Sequence, residues 1–398
     1  MIDQNTKDFI LAHINDDVKK LAFRSTANDV DIRRALQQIE GYQTAIKKLP
    51  SWTKHTDIIY PPRLSMEQCS SERTAVYKQD LVKRILSENT SVSNEVFMDL
   101  TGGFGIDFSF IAPLFKKAVY MERQEELCRI AQHNFKVLGL SHAEVLNIDS
   151  SLQPDEWPDA SCCYIDPARR DTQGQKTVAI EDCEPNLISL QEALHKKTGF
   201  CLVKLSPMLD IQKALRSLKN VAEVHAVSVQ NECKELLLVI TKETPHEPIY
   251  HCVNLDNQTT DFSFVPSEES YAQCDIADRL GHYLYEPNTS IMKCGGFKSL
   301  SERYGVKKLH PHSHLYTSEE KVTNFPGRSF AITSVYGFNK QDIKQLLSKI
   351  SQANITIRNF PGTVADLRKR LKLKEGGEHY LFATTSLDKH LLILCNKA

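Results

Sequence analysis

The chain has 398 residues, 41% hydrophobic and 25% charged, with 16 glycines and 16 prolines. These values lie at the globular average and exclude a disordered or fibrous chain, and at roughly 100–200 residues per domain the length predicts two to four domains. The net charge of −1 hides a polarity: residues 301–398 carry 16 Lys and Arg against 8 Asp and Glu, a surplus of +8, which leaves 33 against 42, or −9, on residues 1–300. Such a basic end is either a polyanion-binding module or a solvated face. No run of about 18 uncharged apolar residues occurs, and MIDQNTKDFILAHINDDVKK has none of the parts of a secretory signal, so the reading is a cytoplasmic chain with no membrane partner, and nothing in the sequence implies an obligate protein partner. Eleven cysteines, odd in number and without CxxC spacing, read as reduced thiols.

In chain order, residues 1–90 form a helical region: Phe9, Ile10, His13 and Ile14, then Ile32, Leu36 and Ile39, fall at helical spacing, and Ser71 caps a helix after the prolines of KLPSWTKHTDIIYPP. Residues 91–243 alternate short β-rich runs with helices. Seven strands are predicted: Val96–Leu100, Ala118–Met121, Ala143–Ile148, Cys162–Ile165, Phe200–Leu205, Glu223–Val229 and Leu236–Ile240. Alternation of this kind means a parallel sheet with helical crossovers. Only Gln230–Lys234 separates the last two strands, too few residues for a crossover, so they form an antiparallel hairpin. A mostly parallel seven-stranded sheet ending in such a hairpin distinguishes a Rossmann-like class I methyltransferase domain from a nicotinamide-binding one. Residues 244–324 are irregular, broken by prolines, and residues 325–398 return to an α/β pattern with strands SFAITSVY, NITIRNF, YLFATT and LLILC.

The chemistry gathers at strand ends. Asp99-Leu100-Thr101-Gly102-Gly103-Phe104-Gly105 is an acidic strand end followed by a glycine turn into a helix; its spacing is GGxG rather than GxGxxG, which suits S-adenosyl-L-methionine, a donor with no pyrophosphate to wrap. Glu122 ends the second strand, 23 residues on, where a carboxylate can accept both ribose hydroxyls, and Asp149 follows the third, where an acid can accept the adenine amino proton or simply face solvent. Asp166-Pro167-Ala168-Arg169 closes the fourth strand at the switch-point crevice. There Asp166, held by Pro167, orients or deprotonates an acceptor, and Arg169 pairs with a phosphate or positions the Asp. Ser206-Pro207-Met208 either walls the pocket or, as the simpler reading, turns the chain; Cys162, Cys163 and Cys183 are either nucleophiles toward a pyrimidine ring or, more commonly, buried inert thiols; and His310, His312 and His314 alternate as one face of a strand with no partner set for a metal. Arg368-Lys369-Arg370-Leu371-Lys372-Leu373-Lys374 sits on or beyond a helix that turns Val364, Leu367 and Leu371 inward; its basic face either grips phosphates or is merely solvated.

DLTGGFGID, YIDPARRD, VKLSPMLDI, YGVKKLHPHSHLY and RNFPGTVADLRKRLKLKEGG together resemble bacterial class I methyltransferases with a C-terminal THUMP-like domain. The resemblance implies a helical N-terminal region, a methyltransferase domain, a ferredoxin-like insert around residues 277–324 and a THUMP-like domain from about Phe325. It implies S-adenosyl-L-methionine as cofactor, held at Asp99, Gly102, Gly103, Gly105 and Glu122, with Asp166 and Pro167 on the acceptor side. The acceptor motif is Asp-Pro-Ala-Arg rather than the Asp-Pro-Pro-Tyr of amino methyltransferases. THUMP domains proper bind RNA, so the likeness implies an RNA nucleotide as substrate, docked by shape and charge. The rival readings are a donor- or RNA-binding protein without catalysis, and a methyltransferase of small molecules or proteins.

Overall fold

The computed structural model describes residues 3–24, 29–169 and 180–398. It divides into two compact units, Met1–Ala222 with Leu236–Pro245, and Glu223–Glu235 with His246–Ala398. The first unit opens with α1 (Gln4–His13), α2 (Val18–Arg24), α3 (Ile32–Lys48), α4 (Arg63–Gln68) and α5 (Glu72–Glu88). Asp31 and Ser71 cap α3 and α5 by accepting backbone N–H groups of Arg34 and Thr74. Between α4 and the preceding turn, the backbone of Ile59 and Tyr60 is held by two buried amides. Gln38 of α3 both donates to and accepts from Tyr60, and Asn134 does the same for Ile59, each bond 2.8–2.9 Å. Around them Trp52, Ile58, Tyr60 and Met66 pack in one core with Phe104 and Ile106.

The sheet of this unit is built from β1 (Val96–Asp99), β2 (Lys117–Glu122), β3 (Ala143–Asn147), β4 (Ala160–Ile165) and β7 (Thr198–Leu205); the two-residue strands β5 (Ala168–Arg169) and β6 (Cys183–Glu184) pair separately. The crossovers include α6 (Ile106–Ile111), α7 (Glu125–Val137), α8 (Leu187–Lys197) and α9 (Ile211–Ser217), followed by β8 (Val221–Val229) and β9 (Glu232–Thr241). Within the unit the order is β9-β7-β4-β1-β2-β3, parallel throughout except that β9 runs antiparallel to β7. This is the Rossmann-like, mostly parallel class. The helix read from Leu127 to Leu138 is α7, which buries Leu127, Ile130, Ala131, Asn134 and Phe135.

One buried ion pair joins the helical region to this sheet. Lys78 of α5 is fully buried, with Nζ 3.2 Å from Asp107 Oδ1 at the first turn of α6. Asp107 also accepts from the Ser70 and Tyr164 hydroxyls, both at 2.7 Å. Burial pushes the Asp107 carboxyl up, but the Lys78 and Lys204 ammonium groups and the two hydroxyls outweigh it and hold the pKa below the ordinary carboxylate value.

The second unit contains the β8–β9 reversal at Gln230–Asn231, both at positive φ (51° and 61°) as a two-residue primed turn requires. The hairpin loop is therefore two residues instead of the five expected, because Glu232–Lys234 continue the strand with a polar, mostly exposed edge. The proline-broken stretch after Thr241, read as irregular, holds β10 (Ile249–Leu255), which lies parallel on β8, and β11 (Thr260–Phe264), antiparallel to β10. After α10 (Pro266–Tyr271) come β12 (Tyr283–Pro287), α11 (Thr289–Cys294), α12 (Phe297–Tyr304), β13 (Lys307–Lys308), β14 (Tyr316–Ser318) and β15 (Gly327–Gly337). Then follow α13 (Lys340–Lys349), β16 (Asn354–Arg358), α14 (Val364–Leu371), β17 (His379–Ser386) and β18 (Lys389–Lys397). A single seven-stranded sheet, β13-β14-β12-β15-β18-β17-β16, runs through both halves of this stretch. Buried Glu286 on β12 binds it together, meeting Arg328 Nε at 2.9 Å and Arg358 Nη2 at 2.8 Å. Two expectations fail here. His310, His312 and His314 form a turn rather than a strand face, since Pro311 interrupts the ladder and His314 takes φ 49°; His314 stacks on Phe297, and burial with nearby Lys308 lowers its pKa to about 4. Val364 is 38% exposed, leaving Leu367 and Leu371 as the buried face of α14.

Replacing Lys78 with Met should cost about 3–5 kcal/mol in urea unfolding at pH 7, because it strips a buried carboxylate of a cation. The folded Asp107 titrates below its unfolded value, so its stabilisation is complete above pH ~4 and fades as pH falls through the folded value. The difference between wild type and Lys78→Met should shrink as pH falls and Asp107 protonates, first in the variant, whose carboxyl has lost a cation that depresses it; a difference that is small at pH 7, or that grows on acidification, would contradict this role.

Candidate functional site

The turn from β1 into α6 is fixed from three sides. Asp99 Oδ1 accepts the Thr101 N–H at 2.9 Å, Gly102 N–H donates to the Met121 carbonyl at 2.9 Å, and Gly103 N–H donates to Glu122 Oε2 at 2.9 Å. The Tyr120 hydroxyl donates to the Gly103 carbonyl at 2.5 Å. Two glycines are required sterically. A Cβ on Gly102 would lie 2.1 Å from the Tyr120 ring, and Gly105, at φ 82°, has the Phe135 ring 2.8 Å from where its Cβ would be. The hydrophobic wall of Phe108, Tyr120 and Phe135, with ring centroids 4.7–5.5 Å apart, thus dictates the glycine spacing.

Asp99 points into the protein, 1% exposed. Burial, with the charges of Asp107, Asp166 and Glu122 adding to it, drives its pKa well above the carboxylate range despite the Thr101 N–H. Its side chain shapes the loop. Glu122 is also buried, at 9% exposure, but it receives Gly103 N–H on one oxygen and Gln124 N–H at 2.8 Å on the other, and each oxygen retains a second lone pair.

At the end of β4, the Asp166 N–H donates to Thr101 Oγ1 at 2.6 Å, and the Leu100 N–H donates to the Tyr164 carbonyl at 3.0 Å. The Asp166-Pro167 segment and the glycine loop are therefore bonded neighbours. Asp166 keeps a 38% exposed side chain whose Oδ2 lies 2.6 Å from Lys204 Nζ on β7, and that ammonium is 4.0 Å from Asp107 Oδ2. Lys78, Asp107, Lys204 and Asp166 make a row of alternating charge from the interior to the strand ends. Sequence reasoning passed over Lys204, Lys78 and Asp107. The available signal was a lysine inside the apolar run FCLVKL, and another on the buried face of α5 between Thr74 and Leu81.

Other expected residues stand further off. Asp149 lies two residues beyond β3 and spends Oδ1 on the Ser151 N–H and hydroxyl, which with Arg123 at 4.0 Å keeps its pKa low. Its neighbour Ser150 ties back to the loop by donating to the Leu100 carbonyl at 2.7 Å. Pro167 is buried. The Arg169 backbone pairs with Cys183, and Arg170 lies outside the described residues. Cys162 and Cys163 are fully buried within β4, where burial raises their thiol pKa values far up. In the second unit Glu223, His225 and His251 bring ligand-type atoms within 4.8 Å. The two imidazoles stack at 4.5 Å, however, and each already faces a carboxylate: His225 Nε2 lies 2.8 Å from Glu223, and His251 Nδ1 lies 3.5 Å from Asp261. Among the described residues no helix is long and apolar enough to cross a membrane.

Residues 283–326 match a ferredoxin-like domain family and residues 327–397 a THUMP domain-like family. No curated protein matches. The crystal structure of a Porphyromonas gingivalis W83 protein, described as a candidate methyltransferase, is 35% identical over 100% of both chains, with a TM-score of 0.85. Slighter likenesses, too low to bear on this chain, include an rRNA methylase from Streptococcus thermophilus (14% identity, 42% of this chain and 96% of that one, TM-score 0.32). Another is a Streptococcus mutans candidate methyltransferase in complex with SAH (14%, 40% and 94%, TM-score 0.30). With the full-length likeness, the two C-terminal family matches and the glycine loop agreeing, the chain belongs to the family of bacterial class I methyltransferases that carry a C-terminal THUMP-like domain.

Proposed function

We propose that this protein transfers the methyl group of S-adenosyl-L-methionine to an RNA nucleotide. The observation that carries the reading is the flanking of one glycine loop by two carboxylates, Glu122 from β2 and Asp166 from β4, each joined to the loop by a hydrogen bond. The sheet order β4-β1-β2 puts them on opposite sides of the turn that leaves β1. Glu122 would take the donor's ribose hydroxyls on its remaining lone pairs, and Asp149 would lie on the adenine side. Asp166, partly exposed beside Lys204, would meet the acceptor, and Arg169 would pair with a phosphate of the substrate or position Asp166. Bound there, the donor supplies an electrophilic methyl. The protein's part is alignment and charge placement, since methyl transfer is an in-line displacement.

RNA is the favoured substrate because residues 327–397 match a THUMP domain-like family and because exposed Lys369, Lys372 and Lys374 extend a basic edge along and after α14. Arg370 packs over Phe338 at 4.1 Å, so it is held against the domain.

Calorimetric titration of the purified chain with S-adenosyl-L-methionine should give micromolar binding, weakened by about 10–100-fold in Glu122→Ala, as loss of a charged hydrogen-bonding partner implies. Asp99→Asn should bind nearly as wild type, since its side-chain oxygen can still accept the Thr101 N–H that shapes the loop. Absence of binding in the wild type would sink the donor site. Labelled RNA should bind with an affinity that falls linearly in log–log plots against salt, and Lys369→Ala with Lys372→Ala should reduce the slope by about 1–2. Salt-independent or absent RNA binding would refute the RNA reading and leave the donor site standing.

A further inference from the structure

The charge beside Asp166 bears on which atom is methylated. A nitrogen acceptor becomes cationic as it takes the methyl, and an ammonium 2.6 Å from the acceptor-side carboxylate opposes that change. A pyrimidine carbon needs a thiolate to activate the ring. Cys162 and Cys163 are sealed inside β4 with pKa values pushed far up, and Cys183, paired across from Arg169, is buried at 4% exposure. A flipped exocyclic amine is commonly held on an aromatic face, but position 169, after Asp166-Pro167-Ala168, is arginine. An alcohol has the opposite needs. Its oxygen gains negative character as its proton leaves, which a neighbouring ammonium stabilises, and it requires a base within hydrogen-bond reach.

Resting on the RNA methyltransferase reading above, we infer that the acceptor is an alcohol, the ribose 2′-hydroxyl of RNA, with Asp166 as its base and Lys204 as the charge that steadies the oxygen. Asp166 Oδ2 is engaged by Lys204, while Oδ1 receives no hydrogen bond among the described residues and belongs to a side chain 38% exposed. Oδ1 takes the hydroxyl proton as an oxygen lone pair forms the new C–O bond to the methyl carbon. The C–S bond breaks with its electrons staying on sulfur, giving a neutral thioether, and the proton later passes from Asp166 to water. A carboxylate is base enough, because the hydroxyl proton becomes strongly acidic as the oxygen takes the methyl. Asp107, itself paired with Lys78, lies 4.0 Å from Lys204 Nζ and so helps place the lysine beside Asp166.

The test is transfer of tritiated methyl from S-adenosyl-L-methionine to total RNA from a strain lacking this gene, followed by alkaline hydrolysis. Methylation of the 2′-oxygen blocks cleavage at that linkage, so the label should run as alkali-stable dinucleotides. Label in mononucleotides would place the methyl on a base and overturn the inference while leaving RNA methylation intact; no label in RNA at all would overturn both. Lys204→Met should lower kcat by about 10²–10³-fold with the KM for the donor within about 3-fold. Independently of turnover, carbon NMR of ε-labelled lysine, with Lys204→Arg for assignment, should show Lys204 as an ammonium at pH 8; a neutral amine would make lysine the base and overturn the assignment to Asp166.

Discussion

A carboxylate almost wholly withdrawn from water constrains the whole methyltransferase unit. Asp107 sits in the first turn of α6 at 8% exposure, and an ion so placed is tolerated only if opposite charge and donors surround it. Four groups answer: Lys78 from α5, Lys204 from β7, Tyr164 from β4 and Ser70 ahead of α5. They come from chain segments up to 134 positions apart, Ser70 to Lys204, so they register the helical region, the glycine loop's helix and two central strands against one another. The helical region is thereby part of the methyltransferase unit and not an appendage to it.

The same constraint reaches the chemistry. Lys204 is shared between buried Asp107 and partly exposed Asp166, so the interior carboxylate fixes the cation and the cation fixes the carboxylate at the end of β4. On the other flank, the glycine loop is shaped by aromatic bulk. Tyr120 and Phe135 fill the space where side chains on Gly102 and Gly105 would be, and Tyr120 bonds the Gly103 carbonyl. Electrostatics thus positions one edge of the site and packing the other, the two meeting at Thr101, which bonds to both Asp99 and Asp166.

The sheet was readable in the sequence because its strands are short apolar runs broken by amphipathic helices, and period and length alone separate those patterns. The turn at DLTGGFG was readable because glycines at a strand-to-helix turn mark positive φ and close packing, as Gly102 and Gly105 show. The inward turn of Asp99 was not readable, since its residue type says nothing of which way a strand-end carboxylate faces. Lys78, Asp107 and Lys204 were missed because a buried charge is defined by a partner distant in sequence, and the apolar periodicity around Lys78 hides it among core positions. His310, His312 and His314 misled for the reverse reason: alternation imitated a strand although Pro311 between them forbids one. The strands β10 and β11 escaped because neighbouring prolines fall in the links and not in the strands themselves.

The most direct test of the account is a crystal structure of the protein grown with S-adenosylhomocysteine. The account requires the nucleoside to lie across Gly102–Gly105 with its ribose hydroxyls within hydrogen-bond distance of Glu122 and its sulfur facing the Asp166 edge. Density for the ligand elsewhere in the chain, or a ribose turned away from Glu122, would contradict it.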